Sequence, residues 1–228
     1  YLKVLRLRKS HLLSEPEEKI LSEKAVTGRD AWIRLFDEMM GASRFSMDRQ
    51  KLTSEELLAK LYQPDRRARK RAALAFTKGL KSQIRERTYI LNTLLADKSS
   101  DDRMRSYSNW ISSRNLSNQI LDSAVHTLVE AVTNRYDLVA RYYRLKRRLL
   151  GLRELKDYDR YAPLQEVNTF YTWNQAKNIV LESYKSFHPI LGSLAADFFQ
   201  KKWIDAPVNP GKVGGAFSHP TIPSAHPY

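Results

Sequence analysis

The sequence predicts a mainly α-helical fold, in which a bundle of long helices is followed by a less regular segment with a short β-strand. Apolar residues recur every three or four positions over much of the first 160 residues, which is the spacing of one helix face. Seven of the nine prolines lie beyond residue 160, and proline interrupts helices because it lacks a backbone N–H. We therefore expect two parts, residues 1–160 and residues 161–228.

Capping residues place the first helices. Ser14 stands directly before Glu15, Pro16, Glu17 and Glu18, and acidic residues in a first turn interact favourably with the helix dipole. This helix is expected to run toward Met40 with a break near Gly28. Beyond the break, apolar residues return at helical spacing, at Trp32, Leu35, Phe36 and Met39.

Three further patterns complete the first part. Thr53 or Ser54 begins a short helix that ends before Pro64, and the Lys98–Asp102 cluster is expected to be a loop. Between them, one apolar stripe predicts a single long helix; its members are Phe76, Leu80, Ile84, Leu91 and Leu95. A second stripe ends at Gly151, which is a C-cap candidate; its members are Leu121, Val125, Leu128, Val132, Leu138, Tyr142, Leu145 and Leu149.

In the second part, Thr172 and Gln175 form a capping box for a helix that ends before Pro189. A shorter helix is expected over residues 190–203. The tail, residues 206–228, is rich in proline and glycine and is expected to be loop with a short strand.

The chain is strongly basic, with 39 Lys and Arg against 25 Asp and Glu and a formal net charge of +14. Almost all of this excess lies in residues 1–160. Two basic clusters could contact nucleic-acid phosphates, with tyrosines stacking on bases, or could simply be solvated helix faces beside an aromatic stripe that enters a core. The clusters are Arg66, Arg67, Arg69, Lys70 and Arg71, and Arg141, Arg144, Lys146, Arg147 and Arg148 with Tyr142 and Tyr143.

Several chemistries are excluded within these 228 residues. The absence of cysteine excludes disulfides, Cys-ligated zinc, iron–sulfur clusters and thiol catalysis. No two of the five histidines are four residues apart, so the zinc motif H-E-x-x-H is absent. Serine-hydrolase elbows, phosphate loops and dinucleotide fingerprints are also missing. His126 and Glu130 share a helix face, but two ligands do not make a metal site.

No apolar run is long enough to span a bilayer, and the N-terminus lacks the order of a signal peptide. Together with the missing cysteines, this predicts a cytoplasmic protein that does not contact membranes.

The segment from Gly214 to Phe217 is the most distinctive local sequence. Its small side chains would let a second backbone approach closely, so a flat strand here could accept an extended peptide by β-augmentation. The alternative is an ordinary glycine-rich turn between proline-bounded segments.

The order of several segments resembles oligoendopeptidase F and its relatives among the thimet-oligopeptidase-like zinc metallopeptidases. The resemblance covers nearly the whole chain and is most specific in the second half. It rests on Leu12–Glu15, Arg141–Lys146, Gly151–Leu152, Asp157–Leu164 (DYDRYAPL), Tyr171–Ala176 (YTWNQA), Phe199, Trp203–Asp205 (WID), Pro210–Lys212, Gly214–Phe217 (GGAF) and Pro223–Tyr228 (PSAHPY).

The resemblance implies a hydrolase that cleaves short peptides with metal-activated water, and it implies zinc in the complete protein. In the family, the helix bearing H-E-x-x-H follows the segment similar to Pro223–Tyr228, and a later Glu is the third ligand. The chain is therefore expected to be an internal fragment that binds no zinc alone and is inactive. Its partners would be short peptides and the missing catalytic remainder. Residues 1–160 would be the helical wall of the substrate cavity, and residues 161–228 the beginning of the catalytic domain.

The resemblance also implies that the glycine-rich strand lies along the active-site cleft and pairs with the substrate backbone. No catalytic or metal-ligating residue can be assigned in the chain, and the DYDRYAPL motif is expected to place Asp159 and Arg160 in a buried pair. The substrate contacts implied are Gly214, Gly215, Ala216, Phe217, His219, His226 and Tyr228.

Two other functions are consistent with the residues. One is a basic helical protein that binds nucleic acid through the arginine clusters, although the peptidase resemblance implies no nucleic-acid partner. The other is a non-catalytic remnant that keeps the peptide groove. A reading frame with H-E-x-x-H shortly after Tyr228 would distinguish the peptidase from both.

Overall fold

A computed structural model describes residues 6–165 and 170–207, together with residues 209, 212, 215 and 216. The chain divides into two compact units, residues 1–164 and residues 165–228. The mainly α-helical fold class is confirmed, and the strands of the described residues form one two-stranded sheet. No helix of the described part is both long and apolar enough to cross a membrane.

The elements of the two units follow in chain order. The first unit contains α1 (Glu15–Ala25), α2 (Arg29–Ala42), β1 (Phe45–Met47), β2 (Gln50–Leu52), α3 (Ser54–Ala59), α4 (Arg66–Ser82), α5 (Ile84–Met104), α6 (Ser112–Ser117), α7 (Asp122–Thr133) and α8 (Tyr136–Leu149). Short 3-10 turns lie at Lys9–His11, Lys60–Tyr62 and Asp157–Asp159. The second unit contains α9 (Trp173–Phe187) and α10 (Pro189–Gln200).

The capping predictions are confirmed. Ser14 begins α1 with its N–H donating to the carboxylate of Glu17, which completes a capping box. Thr53 caps α3 in the same way, and Thr172 caps α9. Gly151 has φ +63° just beyond α8, and the N–H groups at 151 and 152 donate to carbonyls 148 and 147. This is the Schellman arrangement that a left-handed glycine closes.

Three predictions about the helices were wrong. The stripe from Phe76 to Leu95 is not one helix, because Gln83 leaves helical geometry between α4 and α5 and most of the stripe in α5 is exposed. The Lys98–Asp102 cluster is helical rather than a loop, since Lys98 pairs with Asp102 one turn later at 2.6 Å. The second stripe is interrupted at residues 134–135, and nearly all of its members are exposed instead of packing into a core.

The sequence also did not predict the hairpin of β1 and β2. The strands pair antiparallel with Phe45 opposite Leu52, and the two turn residues Asp48 and Arg49 have φ +50° and +67°. Two consecutive left-handed residues match the twist of a tight hairpin.

The buried core lies between the hairpin, α3 and α4. It consists of Phe45, Met47, Leu57 and Ala72, with Leu52, Leu61, Ala75, Phe76 and Leu80 packed against it. Gly79 of α4 lies directly against the Phe45 ring, since a Cβ there would come 2.3 Å from Phe45 Cδ1. The absence of a side chain at residue 79 therefore lets the hairpin approach α4.

A polar corner, formed by Asp159 with Arg66 and Arg69, joins the N-terminal end of α4 to the turn at residues 157–159. Arg66 donates from Nε to Oδ1 of Asp159 at 3.0 Å and from Nη2 to Oδ2 at 2.8 Å. Arg69 Nη2 donates to Oδ1 at 3.0 Å, and the Lys156 N–H donates to Oδ2 at 3.0 Å. Asp159 is fully buried and Arg69 nearly so. The prediction that Asp159 pairs with Arg160 was therefore wrong.

Arg160 makes its side-chain contacts with Tyr161 instead of with Asp159. Its guanidinium lies 4.8 Å from the ring centre of Tyr161 and donates to the Tyr161 hydroxyl at 2.9 Å. The backbone carbonyl of Arg160 accepts a hydrogen bond from Lys146 Nζ of α8 at 2.6 Å, which connects α8 to the residue that follows Asp159. Burial, together with the charge of Arg69, lowers the pKa of Lys146.

A second ionic contact ties α1 to the end of α5. Arg105 donates to both carboxylate oxygens of Glu18, at 2.6 and 2.9 Å. Chiefly through these hydrogen bonds, the pKa of Glu18 falls to about 2. His11 stacks on Tyr107 with ring centres 4.0 Å apart and contacts the Arg105 carbonyl through Nδ1 at 2.8 Å.

The substitution Gly79→Ala should destabilise the chain by about 1–3 kcal/mol, because the new methyl group would overpack the buried Phe45 ring. Helix propensity alone predicts the opposite sign, since alanine in a helix is favoured by about 1 kcal/mol. Urea unfolding followed by circular dichroism measures the difference. In a Phe45→Val background the ring atoms are gone and the same substitution should cost less; an equal cost in both backgrounds would contradict the packing explanation.

Acid should weaken the polar corner. Burial acts to raise the pKa of Asp159, but the hydrogen bonds from Arg66, the Lys156 N–H and Arg69 outweigh it and lower this pKa to about 2. Because the folded pKa lies below the unfolded one, the stabilisation is complete above about pH 4 and is lost as the pH falls toward 2.

The measurement is the free energy of unfolding of wild type and Asp159→Asn between neutral pH and pH 2. At neutral pH the variant should lose about 3–5 kcal/mol, because Arg69 stays buried without its carboxylate. The gap between the two proteins should narrow in acid. A gap that is independent of pH would show that the Asp159 charge does not contribute.

Candidate peptide-binding site

The structure describes two of the seven predicted substrate contacts, Gly215 and Ala216. Both are exposed, and they lie in a bend and an irregular segment rather than in a strand. The other five lie outside the described residues, so their roles stay predictions; they are Gly214, Phe217, His219, His226 and Tyr228.

Gly215 adopts a backbone conformation that other residues rarely enter. Its φ is +135°, and among the residues that the structure describes no heavy atom lies within 4 Å of the position that a Cβ would take. The requirement for glycine here is therefore conformational, since no described atom crowds that position. An exposed backbone that no described atom crowds is accessible to a second chain.

Lys212 anchors the segment that leads to Gly215. Its ammonium group donates to Asp205 Oδ1 at 2.6 Å and to the Pro207 carbonyl at 2.7 Å. Lys212 is partly exposed, and its two hydrogen bonds attach it to residues 205–207. Lys212 is thus attached to the chain that follows α10. It stands just before residues 214–217, which we call the candidate peptide-binding segment.

An open groove of about 700 Å³ lies beside this anchor in the second unit. Helices α9 and α10 form it with the chain that follows them, and residues 205–207 are part of its lining. The remaining lining residues are Trp173, Asn174, Lys177, Phe198, Phe199, Lys202 and Ile204.

Aromatic rings and lysines give this groove its chemistry. Trp173 meets Phe199 edge to face with ring centres 5.9 Å apart, and Lys177 Nζ lies 5.6 Å from the Phe199 ring centre. Lys202 is exposed at the same groove. Such a surface can contact apolar side chains through the rings and carboxylates through the lysines. Sequence reasoning missed the groove, because helical spacing does not reveal how α9 and α10 pack together.

The described residues do not assemble a metal site. No group of three or more His, Asp or Glu side chains of the described part is placed to hold an ion. His126 and Glu130 do share a face of α7, as their spacing predicts, with Nε2 and Oε1 3.3 Å apart. Both side chains are well exposed, as expected for a solvent-facing pair.

The two basic clusters differ in their contacts. In the first, Arg66 and Arg69 hold Asp159, and Arg71 pairs with Asp48 of the hairpin turn at 3.2 Å. This cluster is therefore used largely inside the fold. The arginines of the second cluster lie exposed on α8, where Lys146 alone is buried.

Comparison with known families decides the identity. The model described as Peptidase family M3 matches residues 59–228, and the model described as Oligopeptidase F matches residues 1–45. The chain belongs to peptidase family M3. The resemblance to oligoendopeptidase F on which the sequence prediction rested is thereby confirmed.

Relatives of this M3 chain are themselves named as oligopeptidases. It is 29% identical to an oligoendopeptidase F homolog of Borreliella burgdorferi, over 95% of the chain and 37% of that relative. It is 28% identical to the group B oligopeptidase PepB of Streptococcus agalactiae, over 73% of the chain and 28% of that relative. The chain thus spans well under half the length of both curated relatives.

The M3 chain also shares its fold with a solved structure. It superposes on the crystal structure of oligoendopeptidase-F from Enterococcus faecium with a TM-score of 0.68 at 21% identity. The match covers 92% of the chain and 46% of that structure.

The substitution Lys212→Met should loosen the candidate peptide-binding segment, because it removes both contacts to residues 205–207. We expect faster limited proteolysis within residues 206–228 and little change in overall helix content. Mass spectrometry of the fragments over time measures the rate and the position of cleavage. Lys185→Met is the matched control, since Lys185 is an exposed lysine of the same unit. Equal cleavage of the two variants would contradict the anchoring role.

Proposed function

We propose that this chain is the substrate-binding part of a cytoplasmic, zinc-dependent oligoendopeptidase that hydrolyses peptide bonds in short peptides. The observation that carries the proposal is the M3 family match over residues 59–228, which includes the candidate peptide-binding segment. The named functions of the relatives support the same reaction class. In this proposal the helical first part is a wall of the substrate cavity, and the second part begins the catalytic domain.

Zinc belongs to this proposal through the family and not through the described side chains. Those side chains bring no set of three potential donors together, so they do not fit a catalytic zinc site. The ligands would have to come from residues outside the described part, and we assign no chemical step to this chain's own side chains.

The contribution proposed for this chain is to bind and orient the substrate. The exposed backbone at Gly215 and Ala216 can offer N–H and C=O groups to an extended peptide, and no atom of the described residues blocks its approach to Gly215. Phe217, His219, His226 and Tyr228 are proposed as further contacts to the substrate. Lys212 would keep the segment in place while the peptide binds.

The test compares the 228-residue chain with the product of its complete reading frame. The complete product should contain H-E-x-x-H, bind stoichiometric zinc by elemental mass spectrometry, and cleave short quenched fluorescent peptides until a chelator is added. The 228-residue chain alone should bind no stoichiometric zinc and cleave none of these peptides.

Two results would contradict the proposal. Chelator-sensitive cleavage by the rigorously purified 228-residue chain would show that it holds a complete site. A complete product that binds the peptides without zinc and without cleavage would instead indicate a non-catalytic peptide-binding protein.

A further inference from the structure

Helix α8 contacts the rest of the first unit along one face. Tyr143, Lys146 and Leu150 are at least partly buried, and Lys146 donates to the Arg160 carbonyl. These positions, separated by three and four residues, mark the side of the helix that packs inward. The other sides of α8 are exposed within the described part of the chain.

A row of apolar side chains follows one of these exposed sides. Leu138, Tyr142, Leu145 and Leu149 are spaced by four, three and four residues, and each is between 43% and 61% exposed. From its first to its last member the row spans about three helical turns, roughly 17 Å. Tyr142 was expected to enter a core together with this row, and within the described residues it does not.

Exposed arginines flank the apolar row. Arg141, Arg144 and Arg148 follow one another at helical spacing along its border, and Arg147 is exposed as well. Among the described residues, no carboxylate lies within ion-pair distance of these four guanidinium groups. Arginines and apolar residues together line an open groove of about 640 Å³.

The relatives contain more of this fold than the 228 residues do. Helix α8 lies within residues 59–228, which match the Peptidase family M3 model, and more than half of each of the two curated relatives lies outside the region matched by this chain. A monomeric protein rarely leaves a continuous apolar surface in water. The row therefore requires a cover that is always present, since an intermittent partner would leave it exposed between encounters.

We propose that the apolar row and the bordering arginines of α8 form an internal interface, which the part of the same polypeptide beyond Tyr228 covers in the complete protein. This inference rests on the proposed function, which expects the rest of the catalytic domain there. The covering segment packs apolar side chains on the row and pairs aspartates or glutamates with Arg141, Arg144 and Arg148. It is a helix, because the backbone of α8 is already hydrogen-bonded internally and offers no partner to an extended strand.

Covalent linkage and charge favour this occupant over three others. A segment of the same polypeptide has a high effective concentration at the row and loses little translational freedom on docking, so a separate protein would have to displace it. A second copy would place arginine rows against each other, and like charges oppose association. A nucleic acid would pair with the arginines but would leave Leu138, Leu145 and Leu149 without contacts.

The test compares thiols on opposite sides of α8, in the 228-residue chain and in the purified product of the complete reading frame. The 228 residues contain no cysteine, so each variant adds a single thiol to them. Tyr142→Cys lies in the apolar row, and Ala140→Cys is the matched control. Ala140 is exposed and lies two residues away, about 200° around the helix. Peptide mass spectrometry measures the iodoacetamide labelling rate at each position, relative to the chain unfolded in urea.

The row should be protected only in the complete product. In the 228-residue chain the two thiols should react at rates within about twofold of each other, because both sites are exposed. In the complete product, Tyr142→Cys should react at least about tenfold more slowly than Ala140→Cys, because the covering segment must first open.

Charge reversal in the complete product tests the arginines. The pair Arg141→Glu and Arg144→Glu should raise the labelling rate at Tyr142→Cys by about fivefold or more, because two attractive contacts become repulsive. The pair Lys78→Glu and Lys81→Glu on α4 is the matched control, since it makes the same charge change at the same spacing on exposed residues. It should change this rate by less than about twofold.

A photocrosslinker identifies the occupant directly. The substitution Leu145→p-benzoylphenylalanine is made in the complete product, and the peptides joined by irradiation are identified by mass spectrometry. The expected crosslink connects residue 145 to a peptide beyond residue 228 within one polypeptide.

Several results would overturn the inference. Equal labelling of the two thiols in the complete product would show that the row is not covered. A crosslink to residues 1–228, to a second copy or to a separate protein would assign the row to that occupant. Equal effects of the two charge reversals would remove the arginines from the interface.

Zinc content and peptide cleavage of the same complete product separate this inference from the proposed function. A zinc-dependent peptidase with an uncovered row would overturn the inference alone. A covered row in a product that cleaves no peptide would leave the inference standing and overturn the proposed function.

Discussion

The first unit depends on the burial of one carboxylate. Asp159 has no contact with water, and a buried charge is tolerated only when it is fully paired. Its partners come from the first turn of α4 and from the backbone before the 157–159 turn. Arg69 in turn donates to the carbonyls of Gln63, Pro64 and Tyr158, so the two ion pairs of one carboxylate determine where these chain segments meet.

Helix α4 therefore carries two different kinds of interaction at its two ends. Its N-terminal end holds the polar corner, and its later turns hold the apolar core under the hairpin. The direction of the ion pairs specifies the first contact, whereas the fit of Phe45 against Gly79 specifies the second. Helices α7 and α8 have neither kind of support along most of their length, and most of their apolar side chains are exposed within the described part of the chain.

Local chemistry was the predictable part of this fold. Capping boxes at Thr53 and Thr172 and the left-handed Gly151 act over a few residues, so the sequence alone locates them. Pairings between distant segments were not predictable. The contact from Asp159 to Arg66 and Arg69 spans about ninety residues, and the neighbouring Arg160 was the obvious but wrong partner. The groove beside Trp173 was missed for the same reason. Gly215 could be proposed from the sequence because a pair of adjacent glycines is itself a local signal.

The buried Lys146 has a consequence for observing the molecule. Its amine is withdrawn from solvent and donates to the Arg160 carbonyl. An amine that is protected in this way reacts with an acylating reagent only when its surroundings open. The rate of acylation at Lys146 would therefore report how often α8 separates from the 160–162 segment, and the wild-type chain carries this reporter without any engineered label.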